Sequence, residues 1–295
     1  MVEEERGFVF NTPDGDVEMS IAEIRDMAAQ GDPDGLYALG MAYLFGWDIE
    51  QDEAMGYDCL ERAANDGQTE AMTLLVRMFM QGEYEGIDAD KAAQMAKTAA
   101  ADGIPDAQMY LGLAYMDGVH VPQDYDLAAK YFRLAANQGN DEARTNLAYL
   151  IQNGLGMDKD EPKAFKMYRT AAKNGNMNAM FHLAVCYEFG SGTKVDLASA
   201  VEWYRKGSDM GDPFATERMA YLASEGYGDK GPDAELAFEL FLKAANSGVP
   251  GSMFMVGYCY LKGAGTEPDV EEAKKWLKMA ADSDVQEAKD LLSEI

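Results

Sequence analysis

Several short motifs carry residue types that could do chemistry. Ser191-Gly192-Thr193-Lys194 has the Ser-x-x-Lys spacing in which a lysine activates a serine nucleophile, a device that needs the serine at a helix start and further motifs nearby. Here the tetrapeptide falls in an expected loop ahead of Asp196, and no partner motif follows. Gly226-Tyr227-Gly228-Asp229-Lys230-Gly231 fits the glycine pattern that cradles a dinucleotide pyrophosphate, but it lies between two expected helices with no strand before it. His120 lies in a loop. His182 lies beside Leu183 inside an expected helix, where packing or a groove position suits it better than a role as base. Neither histidine has a Cys, Ser or carboxylate at triad spacing. Cys59, Cys186 and Cys259 with these two histidines cannot supply the close ligand pairs of structural zinc. The acidic loops Asp14-Gly15-Asp16 and Met157-Asp158-Lys159-Asp160-Glu161 lack the ligand spacing of a calcium loop. The expectation is no catalytic residue, no metal and no cofactor.

The elements that hold these motifs come from a chain of 295 residues, 47% apolar and 26% charged, enough for a large folded core. Acidic residues outnumber basic ones 52 to 25, a formal charge of −27 that repels nucleic acid and anionic membranes. No apolar run reaches the roughly 18 residues that span a bilayer. The acidic start Met1-Val2-Glu3-Glu4-Glu5 is unlike a secretory signal. Sparse, odd-numbered cysteines fit a reducing compartment, so a cytoplasmic monomer is expected.

Internal repetition organises everything else. Glycines at 31, 67, 103, 139, 175, 211 and 248 follow Ala-Ala-type helix ends at steps of 36, with one step of 37. A second glycine column (46, 82, 118, 154, 190, 226, 263) and an acidic column (Asp52, Asp88, Asp124, Asp160, Asp196, Asp233, Asp269) share the register and place one inserted residue between Gly226 and Asp233. Each unit reads as two helices. Helix A carries a small residue, Leu, a second small residue and an aromatic on one face, as in Ala107, Leu111, Gly112 and Tyr115. Pro33, Pro105, Pro213 and Pro250 mark its first turn. Helix B opens at the Asp column, whose side chains can cap it, and repeats an inner face such as Ala128, Tyr131, Phe132 and Ala135. Its last turn is expected to be basic (Lys97, Arg133, Arg169, Arg205, Lys278). Strand-like residues occur only before residue 20, around Phe8-Val9-Phe10 and Pro13-Asp14-Gly15.

This pattern, complete in Ala107, Leu111, Gly112, Tyr115, Gly118, Asp124, Ala128, Tyr131, Phe132, Ala135, Ala136 and Gly139, resembles the Sel1-like repeat (SLR) family, a relative of the tetratricopeptide repeats. The resemblance implies an all-α, right-handed superhelical solenoid of helix-turn-helix repeats. The expected organisation is a leader at 1–19 and a capping helix at 20–31. Seven repeats follow at 32–67, 68–103, 104–139, 140–175, 176–211, 212–248 and 249–284, then a partial repeat at 285–295. Departures include Val76 for the small residue, Gly56 for Ala, and Asp284 for the closing Gly.

The family implies that helix A lines a concave face. Positions two before, two after and five after the Leu column give a lining of Tyr37, Met41, Leu44, Met80, Met109, Leu113, Met116, Tyr149, Phe181, Val185, Tyr221, Phe254, Tyr258 and Leu261. Arg77 stands in the same row, and Thr73, Thr145, Glu188 and Glu217 interrupt it. Twenty methionines add the flexible thioethers favoured on surfaces that accept varied apolar side chains. Asp34, Glu70, Asp106 and Glu142 form an acidic rim beside the N-terminal half of this row. The implied function is a non-catalytic scaffold or adaptor that binds a peptide or protein segment with apolar anchors and basic residues at one end. Ordinary inter-repeat packing explains the same apolar residues, and solvated helix starts the same acids. The alternative function is a charge-based binder or chaperone-like protein for basic partners, without a defined groove.

Overall fold

A computed structural model describes residues 8–12, 15–80, 82–84, 86, 88–119, 121–227 and 231–295. Pro13, Asp14, His120, Gly228, Asp229, Lys230 and the side chain of Met80 lie outside the described residues. The chain divides into two compact units, Met1–Ala143 and Arg144–Ile295, each a stack of helix pairs of the α/α solenoid type.

The first unit opens with an antiparallel hairpin, β1 (Phe8–Thr12) and β2 (Gly15–Met19), in the register Phe8↔Met19 to Thr12↔Gly15. Helix α1 (Ile21–Ala29) follows, closed by a capping box: the Ser20 N–H donates to Glu23 Oε2 at 2.8 Å and the Glu23 N–H to Ser20 Oγ at 3.4 Å. The later B helices start 36 residues on from position 17, so α1 lacks their first turn, and β2 occupies that stretch of chain. The pairs are then α2 (Pro33–Phe45) with α3 (Glu53–Asn65), α4 (Thr69–Met80) with α5 (Ala89–Ala101), and α6 (Pro105–Asp117) with α7 (Tyr125–Asn137). The unit boundary falls inside α8 (Asp141–Asn153).

The second unit continues with α9 (Glu161–Lys173), then α10 (Met177–Phe189) with α11 (Leu197–Asp209), α12 (Pro213–Glu225) with α13 (Ala234–Asn246), and α14 (Pro250–Lys262) with α15 (Val270–Asp282). It ends on α16 (Gln286–Leu292), the partial helix A, whose Ala288 is buried.

Every column read from the sequence has a mechanical role. Each Asp of the acidic column accepts a first-turn N–H of its B helix, from Met55, Lys91, Leu127, Lys163, Ser199, Leu236, and Glu271 with Glu272, at 2.7–3.0 Å. Several of these Asp N–H groups also donate back to the A-helix carbonyl of the aromatic column, as Asp52 to Tyr43, Asp124 to Tyr115 and Asp196 to Tyr187. Pro33, Pro105, Pro213 and Pro250 are the first residues of their helices. Lys97, Arg133, Arg169, Arg205 and Lys278 all fall just short of the last turn, because the B helices run on to Ala101, Asn137, Lys173, Asp209 and Asp282. The last turns of α9 and α11 instead carry Lys173 and Lys206.

The small residue after the Leu sets the closeness of each pair. A Cβ on Gly112 would lie 2.6 Å from the Phe132 ring, one on Gly40 2.9 Å from Leu60 Cγ, and one on Gly257 2.7 Å from Leu277 Cγ. Where the small residue becomes Val76, the residue 20 positions on becomes Ala96 instead of Leu or an aromatic, so volume is exchanged across the pair. The exchange is imperfect. An apolar cleft lined by Val76, Phe79, Ala96, Tyr110 and Leu111 remains beside it.

Candidate partner-binding face

The A helices of the first unit carry the N-terminal half of the expected lining. Their Leu column, Leu39, Leu75 and Leu111, is buried, as the helix pairing requires. Tyr37, Met41, Leu113 and Met116 are half-buried, with Tyr37 and Met41 resting one side on the core, and Arg77 is exposed. Met109 does not line a face: it is 3% exposed, on a helix that packs against α4 as well as α5 and α7. Leu44 and Thr73 are buried for the same reason, since side chains two before and five after the Leu lean toward neighbouring helices. Arg77 acts electrostatically on Tyr110, which the sequence pattern had not singled out, and Tyr37 feels both Glu70 and Arg77. Burial pushes both tyrosines above their ordinary range.

The four acids of the expected rim sit at the repeat junctions. Asp34, Glu70, Asp106 and Glu142 occupy the first turns of α2, α4, α6 and α8, where the helix dipole favours a carboxylate. Gln68 accepts the Ala71 N–H at 2.6 Å and donates to Glu70 at 2.8 Å and Asp34 at 3.4 Å. Asn140 repeats the device, accepting from the Ala143 N–H at 2.8 Å and donating to Asp106 at 3.1 Å. Desolvation, then repulsion from Asp106, holds Glu142 above the usual carboxylate range.

In the second unit the lining is aromatic. Tyr149 and Tyr258 are 41% and 39% exposed, while Phe181, Val185, Tyr221 and Phe254 are half-buried. His182 lies among rings, 5.0 Å from Tyr168, 5.7 Å from Phe181 and 6.2 Å from Tyr149 between centroids. Burial lowers its pKa, against a weaker opposing pull from Asp212, so the ring is neutral near pH 7. The polar interruptions are internally bound. Glu188 pairs with Arg218 and accepts from Tyr204 Oη at 2.7 Å, and Glu217 accepts from Ser252 Oγ at 2.9 Å. Arg218 also stands 5.6 Å over the Tyr221 ring and 6.0 Å over Phe189.

Position five after the Leu therefore reaches under the helix pair. Tyr168 Oη donates to Gln152 Oε1 at 3.0 Å just as Tyr204 does to Glu188, while the same two columns hold Met116 with Phe132 and Leu44 with Leu60. In these two repeats a polar residue in one column comes with a buried tyrosine in the other, whereas Ser224 in the same column faces no tyrosine and donates to the Tyr221 carbonyl at 2.8 Å.

No described cluster of His, Cys, Asp and Glu could hold a metal ion. All three thiols are buried and unpaired with one another, and burial pushes Cys186 up to about 11, far from a nucleophile's range.

The Sel1 repeat model matches residues 33–68, 69–104, 105–140, 141–176, 178–212, 213–249 and 250–285. The chain belongs to the Sel1 repeat family. Two solved structures carry the same fold. An SLR-fold protein from uropathogenic Escherichia coli, described as a protective antigen, is 30% identical with a TM-score of 0.79 over 93% of this chain and 59% of its own. A Sel1 repeat protein from Oxalobacter formigenes is 28% identical with a TM-score of 0.75 over 93% of this chain and 79% of its own. This chain thus spans somewhat over half the length of the first. No match emerges among curated proteins. Sel1 repeat proteins are generally scaffolds for protein interactions and typically carry no catalysis. No described helix is long and apolar enough to cross a membrane.

Proposed function

We propose that this Sel1 repeat chain is a non-catalytic interaction scaffold that holds a peptide or protein segment on the face of its A helices. The observation that carries the reading is the aromatic cluster of the second unit, in which Tyr149, Tyr221 and Tyr258 share the column two after the Leu, Phe181 and Phe254 share the column two before it, and all keep their rings partly open to solvent. Aromatic side chains with few rotatable bonds are efficient anchors for a partner. Buried, unpaired thiols support a reducing, cytoplasmic setting. The test is a pull-down at low and high salt, comparing the parent chain with a folded Phe181→Ala, Tyr221→Ala, Tyr258→Ala variant. Partners kept by the parent at high salt and lost by the variant are expected. Equal retention by both proteins defeats the A-face assignment. Partners that leave both proteins at high salt favour the charge-based alternative, for which the acidic surface speaks.

A further inference from the structure

The negative charge is unevenly placed. The first unit holds 29 acidic and 8 basic residues, a net −21, and the second 23 and 17, a net −6. Residues 1–26 alone carry eight acids and two arginines. The hairpin of β1 and β2 lies in that stretch, and the two strands make their main contact with each other. Its base is held by Met19, which rests on the core, and by the capping box of Ser20. Among the described residues the sheet has no third strand, and Gly15–Met19 makes no backbone hydrogen bond outside the hairpin. Alternate N–H and C=O groups of β2 therefore point away from β1, along an edge that a further strand can pair. A ribbon of two strands is marginal by itself, and a third would complete it.

The register states what that strand must carry. Thr12↔Gly15, Phe10↔Val17 and Phe8↔Met19 share one face of the ribbon, and Asn11↔Asp16 and Val9↔Glu18 share the other. A strand laid beside β2 meets acid and apolar positions in alternation: Asp16, Val17, Glu18, Met19. Basic residues at every second position come across from Asp16 and Glu18, and the apolar residues between them fall across from Val17 and Met19. A slip of one residue reverses every pairing, so the alternation selects one register. A second copy of this chain is a poor occupant, since it brings the same eight acids to the edge.

We propose that the outer edge of β2 takes up, as a third strand, an extended segment of a partner protein in which Lys or Arg alternates with apolar residues. Backbone hydrogen bonds supply the affinity, and the alternate side chains choose the partner. This surface is separate from the A-helix face and does not depend on it.

The test titrates the full chain by calorimetry at low salt with capped Gly-Lys-Val-Lys-Val-Lys-Gly and follows amide exchange in the complex. Expected are binding of this peptide, none of its Glu counterpart, and slower exchange at the amides of β2. Two further peptides carry methyl groups on the backbone nitrogens of either the Lys or the Val residues, which point to opposite edges of a strand. One of them loses at least tenfold in affinity and the other stays within threefold. Asp16→Asn with Glu18→Gln weakens binding at least fivefold with an unchanged melting curve. Asp66→Asn with Asp102→Asn, an equal loss of charge at exposed positions of the same unit, changes it less than twofold. The variant of Phe181, Tyr221 and Tyr258 binds the peptide within twofold of the parent, whatever becomes of the A-face reading. The proposal is overturned if the Lys peptide does not bind up to millimolar concentration, if exchange at β2 is unchanged, if the two methylated peptides bind equally, if the two charge variants weaken binding equally, or if the A-face variant abolishes binding.

Discussion

At Asp48 the backbone adopts φ +49°, a left-handed conformation that Gly156, Gly192 and Gly265 take at the matching loop positions. In the second unit the glycine is obligatory, because a Cβ on Gly192 would lie 2.2 Å from the Glu161 carbonyl oxygen and one on Gly265 1.9 Å from that of Ala234. The loops of Gly192 and Gly265 rest on the start of the preceding B helix, whereas the loop of Asp48 has the shortened α1 before it. Replacing Gly192 by Ala is expected to cost at least about 2 kcal/mol in denaturant unfolding. Asp48→Gly relieves roughly 1 kcal/mol of strain and returns about half of it as unfolded-chain freedom, a net gain of about 0.5 kcal/mol. Tyr168→Phe leaves Gln152 Oε1 without its donor and is expected to cost about 1–2 kcal/mol. Adding Gln152→Met, which copies the Met116 and Phe132 pair, should recover most of that loss in a double-mutant cycle. His182 titrates lower in the folded chain than in the unfolded one. The unfolded state therefore binds the extra proton first, and stability falls as pH drops below about 6.5. His182→Phe should flatten urea midpoints measured between pH 7.5 and 5.5.

Among the elements, the pair α4 and α5 is the informative exception. Val76 with Ala96 reverses the small-to-large order of every other pair, and the apolar cleft at Phe79 and Leu111 shows that the exchange leaves space. Ala96→Phe alone should overpack the pair against Val76 and cost about 1–3 kcal/mol, while Ala96→Phe with Val76→Gly restores the arrangement of Gly112 and Phe132 and should be near neutral or stabilising. Thermal melts of the three variants check this. These couplings were largely legible beforehand: caps, glycine turns, proline starts and the small column all follow from backbone demands that each repeat meets alone. The exposed face was less legible. Whether Met109 or Tyr37 meets solvent depends on how a neighbouring helix closes over it, and both occupy the same column. The hairpin at Phe8–Met19 was ambiguous because five-residue strands carry too few alternations to declare themselves.

Across the whole molecule the charge imbalance makes the two units respond differently to their medium. Self-repulsion in a unit at −21 is screened by salt far more than in one at −6. Hydrogen exchange followed by mass spectrometry in 20 mM and 500 mM NaCl should show amides of α2 to α7 gaining more protection than those of α10 to α15. Equal gains would mean that local pairing outweighs the excess charge. The single inserted residue between Gly226 and Asp233 bears on design. Gly226 gives up the left-handed turn of its column (ψ 151°), yet the Asp233 N–H still reaches the Ala223 carbonyl at 2.8 Å and its carboxylate still caps Leu236 at 3.0 Å. The junctions from B to A show no such variation, with 36 residues between their glycines wherever this loop does not intervene. The molecule thus contains its own precedent for grafting: foreign loops, epitopes or a reporter module belong after the second glycine of a repeat, where one extra residue is already tolerated and the helices on either side keep their caps and register.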